Sequence, residues 1–217
     1  MIKAYYQTSK ILKDGKEVRG RKKLSRSFLK QFIQAWSRFT GGPDDYIRRI
    51  YADTVTMSAA QIRTNNSSGA QLYSIAGEGS AWNNRIPNGT QNDSFSKYFD
   101  NNLRGIVIGN DDTPVTSIDY KLGNQINHGF GLAQMVYLGM FADITTTVAN
   151  PNASWSFERL FLNSSSLDIV VKEIGVYCDT NYETTGYKFC LIRDVITPVT
   201  VHDGEYFKVK YTLQVSV

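Results

Sequence analysis

The stretch RDVITPVTVHDGEYFKVKYTLQVSV (residues 193–217) contains the most regular pattern in this chain. From Phe207 to Val217 apolar residues alternate with polar ones, which predicts a strand with one apolar face. Such a strand must be paired and covered, because an open apolar strand invites aggregation. The Asp203-Gly204 pair before it is a turn signal. We predict that this turn returns the chain onto the preceding strand, and that the terminal strand pairs antiparallel within that sheet with its apolar face in the core.

The composition indicates a β-rich domain of ordinary size. The chain has 217 residues, which suits one domain, alone or with an appendage, and allows a core without disulfides or metal. Aromatic residues make up 12% of it, with 13 Tyr, and Asn, Ser and Thr are abundant. This mixture favours strands joined by polar loops. We therefore predict a mainly β fold, an antiparallel β-sandwich or jelly-roll-like domain with one or two N-terminal helices.

Strand patterns are densest in residues 104–217, where five or six short-spaced strands are joined by Asn, Ser, Gly and Asp turns. One of these strands is expected over residues 132–140. The predicted organisation is a basic N-terminal arm over residues 1–23, a helical segment over 24–52 and a β-sandwich domain over 53–217. Within the arm, residues 2–12 resemble a strand that ends at an Asp14-Gly15 turn. A long Asn- and Ser-rich loop is expected near residues 78–103.

The helical segment shows an aromatic stripe. Apolar residues recur at steps of three and four from Phe28 to Phe39, and Gly41, Gly42 and Pro43 end the pattern. A second short helix is predicted over residues 44–51. The stripe fits either a helix packed on the β-core or a helix docked on a neighbouring subunit.

The positive charge is concentrated at the N-terminus. The net charge of the chain is +4, yet residues 1–30 hold ten Lys and Arg against two acidic residues. Nucleic acid and an acidic protein surface are both possible partners for such a segment, and an acidic neighbouring subunit is the favoured one. The residues predicted to form an assembly interface are Lys16, Arg19, Arg21, Lys22, Lys23, Arg26 and Trp36.

Catalytic and metal-binding patterns are not recognisable in the sequence. His128 and His202 each lie in a Gly-containing turn, with no His-x-x-His or Cys-x-x-Cys spacing. Asp111-Asp112 lacks the alternating acidic spacing of a calcium loop. Phosphate-binding glycine loops and nucleophile elbows are also missing. We predict a protein that is not an enzyme, with no catalytic residues, no metal and no cofactor.

The two cysteines and the hydropathy bear on the cellular compartment. Cys178 and Cys190 flank a short loop and fit either a disulfide or two reduced thiols. Reduced thiols are favoured because the N-terminus has no pattern of an export signal. Apolar runs are too short to span a bilayer, so no membrane partner is expected.

Several sequence blocks, taken in order, resemble a family of tailed-bacteriophage virion proteins. They are GIVIGNDDTPVTSIDYKLGNQINHG (105–129), SWSFERLFLNSSSLDIVVKEIGVY (154–177) and FCLIRDVITPVTVHDGEYFKVKYTLQVSV (189–217). SFLKQFIQAW (27–36) is similar to the N-terminal helix of that family. The family occurs in tail, collar and neck regions, including those of crAss-like phages of gut Bacteroidetes.

The resemblance implies a structural role and supplies no catalytic residues. It implies an oligomeric ring, neck or tail component of the virion, assembled in the host bacterial cytoplasm. The expected partners are copies of the chain itself and portal, neck or tail proteins, with non-specific contact to packaged DNA as a further expectation. The alternative is a receptor- or glycan-binding β-sandwich of a fibre or decoration protein. That alternative needs an exposed aromatic residue, for which Trp82 is the candidate, whereas Trp155 alternates into a strand and is expected in the core.

Overall fold

A computed structural model describes residues 2–25, 27–33, 46–48, 56–58, 105–149, 152–182 and 185–216. These residues form antiparallel strands, and the mainly β prediction is confirmed. The strands are β1 Ile2–Ile11, β2 Glu17–Arg19, β3 Lys23–Ser25, β4 Tyr46–Arg48, β5 Thr56–Ser58, β6 Gly105–Gly109, β7 Val136–Ala149, β8 Asn152–Leu162, β9 Ile169–Tyr182, β10 Thr185–Val201 and β11 Tyr206–Ser216.

Two sheets build the domain, and the structure also contains a two-stranded ladder. Sheet A has the strand order β2-β1-β11-β8-β7, with β3 also paired to β1. Sheet B has the order β10-β9-β6. Strands β4 and β5 pair with each other. Neighbouring strands within each sheet are antiparallel, so the short Asn, Ser and Gly turns of the sequence suffice for several of the connections.

The terminal strand β11 is paired within the chain, but not with the strand before it. It lies between β1 and β8 in sheet A, with Tyr6 opposite Tyr211 on one side and Phe157 on the other. The predicted Asp203-Gly204 turn is present, and Gly204 has a φ of 78°, which favours glycine. The turn carries the chain from sheet B to sheet A, so the prediction that it returns the chain onto β10 is wrong.

Both edges of β10 are engaged around Leu191. One edge pairs with β9, and the segment around Phe28 lies along the other, where Leu29 N donates to Leu191 O at 3.0 Å. An additional strand therefore finds no open edge beside Leu191, whereas sheet A accepts β11 at its centre.

One hydrophobic core lies between the sheets and includes the apolar face of β11. Phe207, Val209 and Tyr211 are fully buried there, as the alternation predicts. Aromatic rings cross the strands, with Phe157 stacked on Tyr211 at 5.9 Å between ring centres. Each such side chain contributes about 1.5–3 kcal/mol by leaving water. Trp155 is partly buried and packs against this core.

The N-terminal predictions need correction. Residues 2–25, expected mostly as a basic arm, include three strands of sheet A, so they belong to the β-domain. Only the predicted strand over residues 2–12 and the turn at Gly15, with a φ of 82°, are confirmed. The basic composition suggested an exposed arm, but the inward positions of β1 are apolar and pack in the core.

The predicted helical segment is also largely different. Helical backbone is described only over residues 30–33, and the second predicted helix is wrong because Tyr46–Arg48 is a strand. Pairing with Thr56–Ser58 satisfies its backbone in place of helical hydrogen bonds. Residues 34–45, which include Trp36, lie outside the described residues. The expected loop near 78–103 with Trp82 lies outside them as well.

Candidate interaction surfaces

The predicted assembly residues Lys16, Arg19, Arg21, Lys22 and Lys23 are brought together along one edge of sheet A. Strands β2 and β3 both pair with β1, at its end and near its start. Between them the backbone N of residue 20 donates to the carbonyl of residue 8 at 2.8 Å. The whole segment is therefore a broken edge strand. Arg26 and Trp36, the other two predicted residues, lie outside the described part of the chain.

Several of these basic side chains have partners within the chain. Arg19 pairs with Glu17 at 2.7 Å, and the Lys23 ammonium donates to the Thr197 hydroxyl at 3.2 Å. A short, interrupted and charged edge strand is a common way to prevent strand addition from another molecule. This edge therefore protects sheet A from strand addition, and that role is independent of any contact with a partner.

A second group of lysines, outside the predicted assembly interface, shares a face with this edge. Lys3 lies on β1, and Lys208 and Lys210 lie on β11, at positions that alternate with core residues. Lys22 lies with its ammonium 4.5 Å from the centre of the Tyr5 ring, on the same outer side. We name the outer surface of β1, β11 and β8, together with Arg19 and Lys22, the basic face. Only the pairing of the first strand with the last brings these residues together.

Four connections meet at one end of sheet A, which we name the loop end. The register places Ile11 opposite Tyr206, Tyr206 opposite Leu162, and Leu162 opposite Val136. The turns beyond these residues therefore leave the sheet on the same side. They comprise residues 12–16, 129–134, 163–168 and 202–205.

A buried asparagine joins two of these connections. Asn163 is fully buried, and its Nδ2 donates to the carbonyls of Leu167 at 2.7 Å and Val201 at 2.8 Å. Its Oδ1 accepts from the Ser165 hydroxyl at 2.8 Å, and its carbonyl accepts from Gly204 N at 2.7 Å. This Asn163 junction fixes the loop after β8 to the turn before β11 by neutral hydrogen bonds.

The loop over residues 129–134 displays two large apolar side chains. Phe130 is 71% exposed and Leu132 is 72% exposed, although the backbone around them is tightly held. The Gln134 side chain accepts from Gly131 N at 2.9 Å, and its backbone N donates to Gly131 O at 3.1 Å. The strand predicted over residues 132–140 therefore begins only at Val136, because this loop turns before it. A rigid loop with exposed apolar side chains is typical of an interaction site.

A buried arginine clamps the loop between β6 and β7 onto sheet B. Arg193 donates through Nε to Glu173 at 2.8 Å, through Nη1 to Asp119 at 2.7 Å and through Nη2 to Asp111 at 3.0 Å. Nη2 also donates to the carbonyl of Thr113 at 3.1 Å. Burial alone would raise the pKa of Asp119, but hydrogen bonds from the loop and from Arg193 hold that pKa below its ordinary value.

The carboxylate of Glu173 completes this Arg193 clamp. Glu173 is fully buried and accepts from Gly123 N at 3.0 Å and Asn124 N at 2.8 Å. The hydroxyl of Tyr177 accepts from Leu122 N at 2.9 Å. The buried charges are thus used to hold backbone, an arrangement that fixes the loop over residues 110–128.

The edge of β6 that faces away from β9 is covered in part by loop backbone, where Ile126 N donates to Ile108 O at 3.0 Å, and in part by side chains from sheet A. Arg159, a charged residue in the apolar row of β8, donates through Nη1 to Ile106 O at 3.1 Å. The hydroxyl of Tyr137 accepts from Ile108 N at 3.3 Å and donates to Ile126 O at 2.6 Å. These contacts satisfy the edge of β6 and join the two sheets.

The other candidate residues have structural partners. His128 Nδ1 accepts from Tyr137 N at 3.0 Å, and His202 lies 2.8 Å from Asp168. Asp112 pairs with Lys172 at 2.9 Å. Among the described residues, no group of three or more His, Cys, Asp or Glu is placed to hold a metal ion. In the same part of the chain, no helix has the length and hydropathy to cross a membrane.

Cys190 is a free, buried thiol. Burial raises its pKa well above the ordinary value, so the thiol is unreactive at neutral pH. The side chain of Cys178 lies outside the described residues. The favoured prediction, reduced thiols, is confirmed for Cys190.

Comparisons with known proteins return no match for this chain, whether with protein-family models, with curated proteins or with solved structures.

Proposed function

We propose that this protein is a structural component of a tailed-phage virion, an oligomeric ring, neck or tail protein whose loop end contacts a neighbouring subunit. The observation that carries the proposal is the rigid loop that exposes Phe130 and Leu132. Neither side chain contributes to the core, so the fold does not account for them. A braced loop with large apolar side chains loses little conformational freedom on binding, which favours a stable contact.

The sequence blocks that resemble virion proteins support the same proposal. The first block contributes β6 and the loop held by the Arg193 clamp, and the third contributes Arg193 itself and β11. The second block contributes Glu173 and the Asn163 junction. The residues of the resemblance therefore include those of the Arg193 clamp and of the Asn163 junction. Such bracing suits a building block that presents fixed surfaces to its neighbours.

The other predictions on function stay predictions. The glycan-binding alternative depended on Trp82, which lies outside the described residues, and no described contact favours it. The buried charged residues of the two sheets are engaged in bracing, which supports a structural role over a catalytic one.

The oligomeric state of the full chain tests the proposal. We expect size-exclusion chromatography with light scattering to show an oligomer for the unaltered protein and a monomer for Phe130→Ser/Leu132→Ser. The matched control is Ile118→Ser, which removes an apolar side chain of 71% exposure from the clamped loop and not from the loop end. An unaltered protein that is monomeric at its highest soluble concentration, or a double variant that assembles normally, would contradict the proposed subunit contact.

A further inference from the structure

We infer that the basic face of sheet A binds the backbone of double-stranded DNA without sequence preference. The inference rests on the proposed virion function only for the source of the DNA. Its starting point is the register of β1 and β11, which places Lys3 opposite Gln214 and Gln7 opposite Lys210. These side chains are partly exposed and point away from the core that Ala4 and Tyr211 help to form.

Cations outnumber carboxylates on this face. Lys3, Lys22, Lys208, Lys210 and Arg19 lie on it together with Glu17 and Glu158. Glu17 is shared by Arg19 and Lys208, each at 2.7 Å, so one carboxylate engages two cations. The face therefore retains net positive charge after its internal pairs are formed. A polyanion is the partner with complementary charge.

The kinds of side chain on this face favour phosphate over a protein surface. Between the cations lie short or medium polar residues that donate hydrogen bonds: Gln7, Thr212, Gln214 and Ser154. Lysines, hydroxyls and side-chain amides are the groups that contact DNA phosphates and fix a protein on the duplex. Protein interfaces, by contrast, are depleted in Lys and Ser and enriched in large aromatic residues.

The loop end is apolar where the basic face is charged, and this contrast supports the assignment of the basic face to DNA. Its exposed apolar side chains, Phe130 and Leu132, suit a protein partner. On the basic face the aromatic residues are Tyr5, whose ring centre lies 4.5 Å from the Lys22 ammonium, and Tyr206 at the start of β11. One molecule thus carries two surfaces of different chemistry, one for a neighbouring subunit and one for nucleic acid.

The salt dependence of DNA binding tests the inference directly. Fluorescence anisotropy with a labelled random-sequence duplex would give the affinity of the full chain at several salt concentrations. We expect Lys3→Gln/Lys22→Gln/Lys210→Gln to bind at least about tenfold more weakly at low salt. The slope of log affinity against log salt should fall by about 1 for each lysine removed.

A second triple variant controls for net charge. Lys13→Gln/Lys121→Gln/Lys172→Gln removes the same number of charges from positions outside the basic face. The inference predicts that this variant keeps the slope of the unaltered protein. Lys210→Gln alone should lower the slope by about 1, which tests the site even if the first triple variant folds poorly.

Three outcomes would overturn the inference. They are no binding of the unaltered protein to the duplex at low salt, an equal loss in the two triple variants, and tighter binding to poly-glutamate than to DNA. The last outcome would assign the basic face to an acidic protein. None of them bears on the oligomer test, because assembly is probed through Phe130 and Leu132 and DNA binding through lysines of another surface.

Discussion

The Asn163 junction and the Arg193 clamp hold two different loops by two different kinds of chemistry. Asn163 joins the loop end through hydrogen bonds to carbonyl, hydroxyl and backbone N–H groups, all neutral. Arg193 holds the loop over residues 110–128 with three carboxylates. A neutral junction costs little to bury and does not titrate, whereas a charged one is stable only while every member is present. Breaking the two regions should therefore lower the free energy of unfolding by different amounts and with a different dependence on pH.

The largest effect is expected from breaking the charged clamp. Arg193→Leu leaves the fully buried side chain of Glu173 without its cation, and this costs about 3–5 kcal/mol of unfolding free energy. Urea unfolding followed by circular dichroism measures the loss. The matched control is Lys172→Leu, which breaks an exposed ion pair to Asp112 on the same loop and should cost at most about 1 kcal/mol. Equal losses in the two variants would mean that the clamp is no more than a surface ion pair.

Breaking the neutral junction should have a smaller effect. Asn163→Ala removes the side-chain donor to the Val201 carbonyl and one of the two donors to the Leu167 carbonyl, which also accepts from the Ser165 hydroxyl, at a cost of about 1–3 kcal/mol. Thermal unfolding gives the size of the loss, and hydrogen exchange at Ser165 and Gly204 reports whether the loop end opens locally. Asn110→Ala, at an exposed position, is the control and should change stability by less than about 0.5 kcal/mol. Unchanged exchange at the loop end in Asn163→Ala would show that other contacts hold it.

The strands of both regions were predictable from the sequence, and their braces were not. Alternation identified β11, and the dense strand patterns of residues 104–217 indicated the part of the chain that holds β8, β9 and β10. Glu173 and Arg193 interrupt apolar strand patterns, and an acid and a base at such positions are a signal for a buried pair. Local patterns do not show which acid pairs with which base, because the partners lie far apart along the chain.

The pairing of the first strand with the last was missed for a related reason. Local patterns indicate that β1 and β11 are strands, but they do not indicate that the two are neighbours. The basic composition of residues 1–23 outweighed the apolar inward positions Ala4 and Tyr6, which place this segment in the core. Consequently the sequence suggested a basic arm where the structure has a basic face. The pairing of β1 with β11, which the residue types alone do not indicate, turns the predicted arm into part of a sheet face.

The smallest effect, and the finest test of the comparison, is the response to acid. The pKa of Asp119 is held below its ordinary value near 4 in the folded state, so its carboxylate stabilises the fold above that pH. This stabilisation is lost as the pH falls through the lowered pKa, because the protonated carboxyl no longer pairs with Arg193. Asp119→Asn should therefore lower stability at neutral pH by about 1 kcal/mol or less, since the group is partly exposed, and should flatten the acid limb of the stability curve.

Asn163→Ala should shift the whole curve of stability against pH downward and keep the slope of its acid limb, since the hydrogen bonds it removes join neutral groups. Urea unfolding from pH 2 to pH 7 separates the two: parallel curves for Asp119→Asn and the unaltered protein would mean that the charged clamp does not set the acid response.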